Sequence, residues 1–170
     1  AMYYFAKLIE SKDIESLERR LITTAYEDIG LANPNACMRT VIAMQAAKTI
    51  GFPEARIPIA SAIIDLCLSP KSKSSENAID AALTSLNERS LKTPSYLRLT
   101  PVGLEDDEKY DYSRPELWEY IQYLPKELGN TQFYVPWMTS NYEKALAENY
   151  RRILKHGRTS DIKKLNQQNK

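Results

Sequence analysis

Apolar residues recur at intervals of three and four along the first ninety positions, which predicts helices with one face turned inward. Asp13 is placed to cap a helix whose stripe is Ile14, Leu17, Leu21 and Ala25. Glu15, Glu18, Arg19 and Arg20 occupy its other face, Glu15 and Arg19 at the favourable four-residue spacing. Gly30 stops it. Asn33-Pro34 opens the next helix, since Asn caps and Pro tolerates the first turn. Met38, Val41, Ile42, Gln45 and Ala46 follow at helical spacing, up to Gly51. Pro53 begins another segment, and Pro58 predicts a fresh start near Ile57. Ile59–Leu68 is apolar nearly all round, with Asp65 its one charge, and is expected to be the central, most buried helix. The polar stretch Ser69–Ser75 is a loop ending in a serine cap, Ser74 or Ser75. A helix with Ile79, Ala82, Leu83 and Leu86 on one face follows. Five helices on short links predict an antiparallel bundle over residues 1–92.

From Thr93 the pattern breaks. Prolines fall at 94, 101, 115, 125 and 136, and eight of the eleven tyrosines lie from Tyr96 onward. Residues 93–139 are expected to form an irregular wrap that packs its aromatics on the helices. A short helix is expected within Arg114–Tyr123 and an extended stretch over Gln132–Trp137. Residues 140–157 read as a helix: Ser140-x-x-Glu143 is a capping box, and Tyr142, Leu146, Tyr150, Ile153 and Leu154 make the stripe. Residues 158–170 are polar and expected to be frayed or disordered.

Charge adds a local asymmetry to an otherwise balanced chain of 170 residues. The net charge is +1, which excludes wholesale electrostatic capture of nucleic acid as the main design. Glu105–Glu119 holds seven acids and two bases, whereas Glu148–Lys170 holds seven bases and two acids. Cys37 and Cys67 make no disulfide framework and fit a reducing, cytoplasmic setting, each as a small buried hydrophobe. No apolar run approaches the ~18 residues of a membrane span, and the N-terminus lacks the basic region of a signal peptide. Ala1 ahead of Met2 reads as a residue left by tag removal, so the chain is expected to be a piece of a longer protein.

Candidate chemistry is sparse. With five glycines and neither G-x-x-x-x-G-K-[ST] nor G-x-G-x-x-G, the chain has no backbone cradle for nucleotide phosphates. His156, the one histidine, sits near a helix C-terminus among Arg152, Lys155 and Arg158, as a solvated helix-end cation would. The acidic pair Glu27-Asp28 suits a structural role better than catalysis. Adjacent helical residues point about 100° apart, so one of the two is expected near solvent while the other caps Asn33-Pro34 or pairs with Arg19, Arg20 or Arg56. Lys71 and Lys73, in the loop after the apolar helix, and Arg151, Arg152 and Lys155 are candidate contacts to DNA.

Several ordered blocks resemble the RarA/MgsA family of AAA+ ATPases, the replication-associated recombination proteins related to the eukaryotic Werner-helicase-interacting protein. Ala25-Tyr26-Glu27-Asp28-Ile29-Gly30-Leu31-Ala32-Asn33-Pro34 looks like the family's A-x-E-D-I-G-x-A-x-P. Gly51-Phe52-Pro53-Glu54-Ala55-Arg56 resembles its G-x-P-E-[AG]-R, and Leu68-Ser69-Pro70-Lys71-Ser72 its x-[AS]-P-K-S. Ala78–Leu83, Tyr96-Leu97-Arg98, Tyr110-Asp111-Tyr112 and Gln122-Tyr123-Leu124-Pro125 continue the series. The chain departs from the family at Gly103–Glu108, where acids replace a basic approach, at Tyr96, where the family has His, and at Ser113, where it has Pro.

The resemblance implies the family's C-terminal helical region, similar to a clamp-loader collar: an all-α bundle that holds copies together as a homotetramer and performs no catalysis. It implies that Glu27, Asp28, Gly30, Pro53, Glu54, Arg56, Pro70, Lys71 and Ser72 are structural or interface residues. The Walker motifs, the arginine finger, ATP and magnesium would belong to an upstream core. The whole protein would act on DNA at stalled forks, with replication proteins as further partners and a bacterial, nucleoid-associated location. Two alternatives stand beside this reading: a DNA-binding module using Lys71, Lys73 and the basic tail, and a free-standing enzyme using Glu27 and Asp28.

Overall fold

A computed structural model describes residues 1–11 and 13–168. The described residues form the helices α1 (Met2–Glu10), α2 (Ile14–Thr24), α3 (Pro34–Ile50), α4 (Arg56–Leu68), α5 (Ser74–Glu88), α6 (Asn141–Leu154) and α7 (Ile162–Gln168), joined by short π and 3-10 turns. They include no strand, only an isolated bridge between Ile121 and Thr159. The expected all-α class is what the chain adopts.

The chain divides into two units, Ala1–Ala81 with Phe133–Ala147, and Ala82–Gln132 with the residues from Glu148 onward.

In the first unit the caps follow the sequence. The Asp13 carboxylate accepts the Ser16 N–H at 3.0 Å, and the Asn33 side chain accepts that of Ala36 at 3.2 Å. Leu17, Met44, Ala47, Ile59 and Ile63 form one core cluster with Phe5 of α1, a helix the periodicity did not predict. Ala25, Ile29, Ala36, Cys37 and Leu66 form a second. The fresh start expected near Ile57 is the start of α4 at Arg56, and Pro58 does not interrupt the helix. That proline is the third residue of α4, within the first turn whose N–H groups lack helical partners in any case. The loop serines also differ from expectation: Ser74 starts α5 itself, and its N–H donates to the Ser72 hydroxyl at 3.3 Å.

The apolar faces depart most from the sequence reading. On α3 the buried residues are Ala36, Cys37, Thr40, Met44 and Ala47, so the larger Met38 and Ile42 face outward. Apolar residues surround most of α3, and the face that packs on α4 and the turn Ala25–Ile29 is built of small side chains with Met44 as its one large member. On α4, Ile59, Ala62, Ile63 and Leu66 are buried. Its opposite side carries Ile57 at 58%, Ile64 at 48% and Leu68 at 82% exposure, so the helix expected to be most buried has an open apolar stripe. Ile79, Leu83 and Leu86 of α5 are exposed as well, where a core face was expected. Cys67, read as buried, is exposed on α4. Cys37 is buried, its Sγ–H donates to the Ala25 carbonyl, and desolvation pushes its pKa up.

The second unit has its own small core of Leu117, Ile121, Ile162 and Leu165, with Tyr96, Leu97, Tyr110 and Tyr120 packed around it. Half of that core comes from the tail expected to be disordered. Ile162 and Leu165 sit three apart on α7 and were too few for periodicity to register; positions 169 and 170 lie outside the described residues. The acidic stretch and the basic tail are joined. Lys163 meets Asp107 at 3.4 Å, Asn166 donates to the Asp107 carbonyl at 2.8 Å, and Arg152 is bidentate to Glu119 at 2.9 and 3.0 Å. Backbone bonds from Gln122 to Thr159 and from Thr159 to Tyr120 hold the tail in place.

Candidate functional site

Two family blocks distant in sequence meet in the first unit. The turn Ala25–Ile29 widens α2 to a π turn and ends at Gly30, whose φ of +44° favours glycine. The loop Ser69–Lys73 lies against it, its Ser72 N–H donating to the Asp28 carbonyl at 2.9 Å. A Cβ on Gly30 would stand 3.3 Å from both the Ser72 carbonyl and the Ser75 hydroxyl. Gly30 is thus required by conformation and by space.

Each polar group of the loop has a defined partner. The Lys71 ammonium donates to the carbonyls of Leu66 at 2.7 Å and Ser69 at 2.6 Å, so it terminates α4 as a cation at the negative end of the helix. Lys73 meets Glu76 at 3.0 Å, Glu27 at 3.1 Å and Asp28 at 3.4 Å. Glu76 and Glu27 raise its pKa above the ordinary ammonium range. Glu27 and Asp28 therefore pair with Lys73, and not with Arg19, Arg20 or Arg56 as the sequence suggested. Both lysines thus have partners within the chain.

The centre of this cluster is Glu143, which the sequence marked only as half of a capping box. The cap does form: the Glu143 N–H donates to the Ser140 hydroxyl at 3.1 Å. The Glu143 side chain, however, turns into the core and is fully buried. The carboxylate accepts the Ser74 hydroxyl at 2.6 Å and the Ser72 hydroxyl at 2.8 Å. It also accepts the backbone N–H groups of Trp137 at 3.2 Å and Thr139 at 3.3 Å. Desolvation pushes its pKa up, and the bonds from Ser74, Ser72, Trp137 and Thr139 outweigh it, so the net shift is downward. Glu143 thereby fastens the Phe133–Ser140 stretch and the start of α6 to the start of α5. Its fully buried position could not be read from local spacing, because its partners lie about 70 residues away.

The third family block stands apart, at the other end of α4, about 20 Å along a helix of this length. There the Arg56 guanidinium donates to the Pro53 carbonyl at 2.7 Å after a cis Phe52–Pro53 bond, and the Glu54 carbonyl accepts the Ile57 N–H. Pro70 is exposed beside Lys71. In the second unit Arg151 pairs with Glu148 and Arg152 with Glu119, while Lys155 has no ion pair among the described residues. His156 is half-buried. Its Nε2 lies 3.1 Å from Glu119, and its ring meets Tyr120 edge-on, so it is a packed residue and not a solvated one.

Among the described residues no group of three or more His, Cys, Asp or Glu could hold a metal ion. The clustered family residues fasten helices; their charges are matched to each other, and the nucleophile-and-base geometry of a catalytic site is not what they form.

Comparison with known proteins places this helical chain in a class, the C-terminal region of an AAA+ ATPase. The chain belongs to the family described as MgsA AAA+ ATPase C terminal, which matches residues 1–154. It is 45% identical over 162 residues to replication-associated recombination protein A of Bacillus subtilis, covering 91% of this chain and 38% of that protein. It is 32% identical over 145 residues to the protein of the same name from Escherichia coli K12, covering 80% and 32%. A match to the ATPase WRNIP1 of Dictyostelium discoideum is 27% identical over 141 residues, covering 78% and 16%. The chain thus spans about a third of the length of these bacterial relatives. Among the described residues no helix is long and apolar enough to cross a membrane.

Proposed function

We propose that this chain is the self-association domain of a replication-associated AAA+ ATPase, joining four copies, while residues outside it bind ATP and magnesium and carry out hydrolysis. The observation that carries this reading is the outward stripe Ile57, Ile64 and Leu68 on α4, with Met38 and Ile42 also exposed on α3. These two helices have mature cores behind them, so the outer side chains are not needed to fold the unit. Removing the exposed part of such a side chain from water contributes roughly 1 kcal/mol. The three residues of the α4 stripe from each of two copies give about 6 kcal/mol per contact before the costs of association, and four copies close where such contacts run head to tail around a ring or combine with a second one through α3. In the whole protein the tetramer would present several ATPase cores to DNA at a stalled fork, in the bacterial cytoplasm and with replication proteins as partners. Light scattering of the chain near physiological salt tests the reading: a mass four times that of the monomer supports it, and a monomer at tens of micromolar refutes it.

A further inference from the structure

The largest group of touching aromatic rings among the described residues lies in the second unit, around Tyr110. Its ring meets Tyr112 at 4.7 Å between centroids, Tyr123 at 6.4 Å and Trp118 at 6.5 Å, the last within 20° of parallel. Tyr110 packs on the core of Leu117, Ile121, Ile162 and Leu165, so the central ring is fixed. The other three open outward, Tyr112 at 67%, Trp118 at 41% and Tyr123 at 39% exposure. Exposed rings gathered in this way leave apolar surface in water, and their π faces attract cations. The exposed pair Tyr3 and Tyr4 already has a cation, the Lys7 ammonium 5.2 Å over the Tyr3 ring. Among the described residues no cation stands over the four rings around Tyr110.

The segment that carries three of these rings is acidic. Four of the seven acids in Glu105–Glu119 are matched: Asp106 to Lys109, Asp107 to Lys163, Glu116 to Arg114 and Glu119 to Arg152. Both bases of the segment are thereby used. Glu105, Glu108 and Asp111, all within five positions of Tyr110, have no ion pair among the described residues. The Asp111 carboxylate accepts the hydroxyl and the N–H of Ser113 at 2.6 and 2.8 Å, which hold its pKa below the usual range and keep it charged beside Tyr112. Two bases come near. Arg114 is held by Glu116 and the Asn166 carbonyl, and Arg158 acts on Tyr123, away from Tyr112 and Trp118 in its effect. Nucleic-acid bases also stack on such rings, but the unmatched carboxylates repel the phosphates that come with them. We propose that this patch receives an arginine side chain from an extended, basic segment of a partner protein. The planar, weakly hydrated guanidinium lies on the rings of Trp118 and Tyr112, and Asp111 and Glu108 supply the counter-charge. The patch lies in the second unit and the self-association stripe in the first, so each proposal can fail without the other.

The test titrates the intact chain at low salt with a fluorescein-labelled peptide of alternating arginine and glycine, with the same peptide carrying neutral citrulline for arginine, and with a labelled single-stranded oligonucleotide. The citrulline peptide is expected to bind at least about tenfold more weakly than the arginine peptide. Trp118→Ala is expected to weaken arginine-peptide binding about tenfold and Tyr112→Ala about threefold. Should Trp118→Ala lower the melting temperature, Tyr112→Ala, at the most exposed of the rings, decides in its place. Asp111→Asn, which keeps an acceptor for Ser113, is expected to weaken binding about threefold and to flatten its salt dependence, whereas Asp80→Asn, an exposed acid of the first unit, leaves binding within about 1.5-fold. Absence of binding, equal binding of the two peptides, or unchanged binding in the ring variants overturns the proposal. Oligonucleotide binding that is lost in Trp118→Ala overturns it as well, and assigns the rings to base stacking.

Discussion

Replacing Glu143 with alanine is the sharpest perturbation of the first unit. The substitution strips the acceptor from the Ser72 and Ser74 hydroxyls, 2.8 and 2.6 Å from the carboxylate, and from the N–H groups of Trp137 and Thr139. Hydrogen bonds to a charged group contribute about 1.5–3 kcal/mol each, and water entering the vacated space offsets part of the loss. The two short bonds dominate, since those to Trp137 and Thr139 exceed 3.1 Å. The expected loss is about 3–5 kcal/mol, or a fall in Tm of roughly 10 °C for a chain of this size. Thermal unfolding followed by circular dichroism measures it. A cycle with Ser72→Ala and Ser74→Ala should show coupling of at least ~1 kcal/mol. The pH dependence follows from the downward shift of the Glu143 pKa. A carboxyl whose folded-state pKa lies below its unfolded value stabilises the fold above the unfolded value, and that contribution is lost as pH falls through the folded one. The stability gap between the protein and Glu143→Gln should therefore be full at neutral pH and shrink in acid. A loss below ~1 kcal/mol for Glu143→Ala, or a gap that stays constant into acid, refutes the reasoning.

Three further outcomes are expected. Gly30→Ala places a Cβ 3.3 Å from the Ser72 carbonyl at a positive φ and should cost about 1–3 kcal/mol in urea unfolding. A variant as stable as the parent would show that the turn relaxes freely. Leu165→Ala should cost about 2–4 kcal/mol, because Leu165 is part of the second unit's core. An unchanged Tm would return the tail to the status of a frayed end. Lys73→Met should lower Tm, and high salt should narrow the difference, because Lys73 meets three carboxylates near the surface. A salt-independent difference would mean that its aliphatic stem, and not its charge, matters.

The helices were legible where their signals are local. Asp13, Asn33-Pro34 and Gly51 bound α2 and α3 as their chemistry predicts. Faces were less legible. On α3 nearly every side is apolar, so spacing alone favoured Met38 and Ile42, whereas close packing selected Ala36, Thr40 and Ala47. The candidate residues Glu27, Asp28, Gly30, Lys71 and Ser72 do converge, but what joins them is long-range. Lys73 bridges to Glu27 across 46 positions, and Ser72 reaches Glu143 across 71. Nothing in a local window of sequence encodes such pairs. The tail escaped notice because two apolar residues on a seven-residue helix make no period.

Self-association through the α4 stripe is tested most directly by sedimentation equilibrium of the chain beside Ile64→Asp. The account predicts a tetramer for the parent chain and a folded monomer, with unchanged helical content and Tm, for the variant. A variant that remains tetrameric, or a parent that sediments as a monomer, contradicts it.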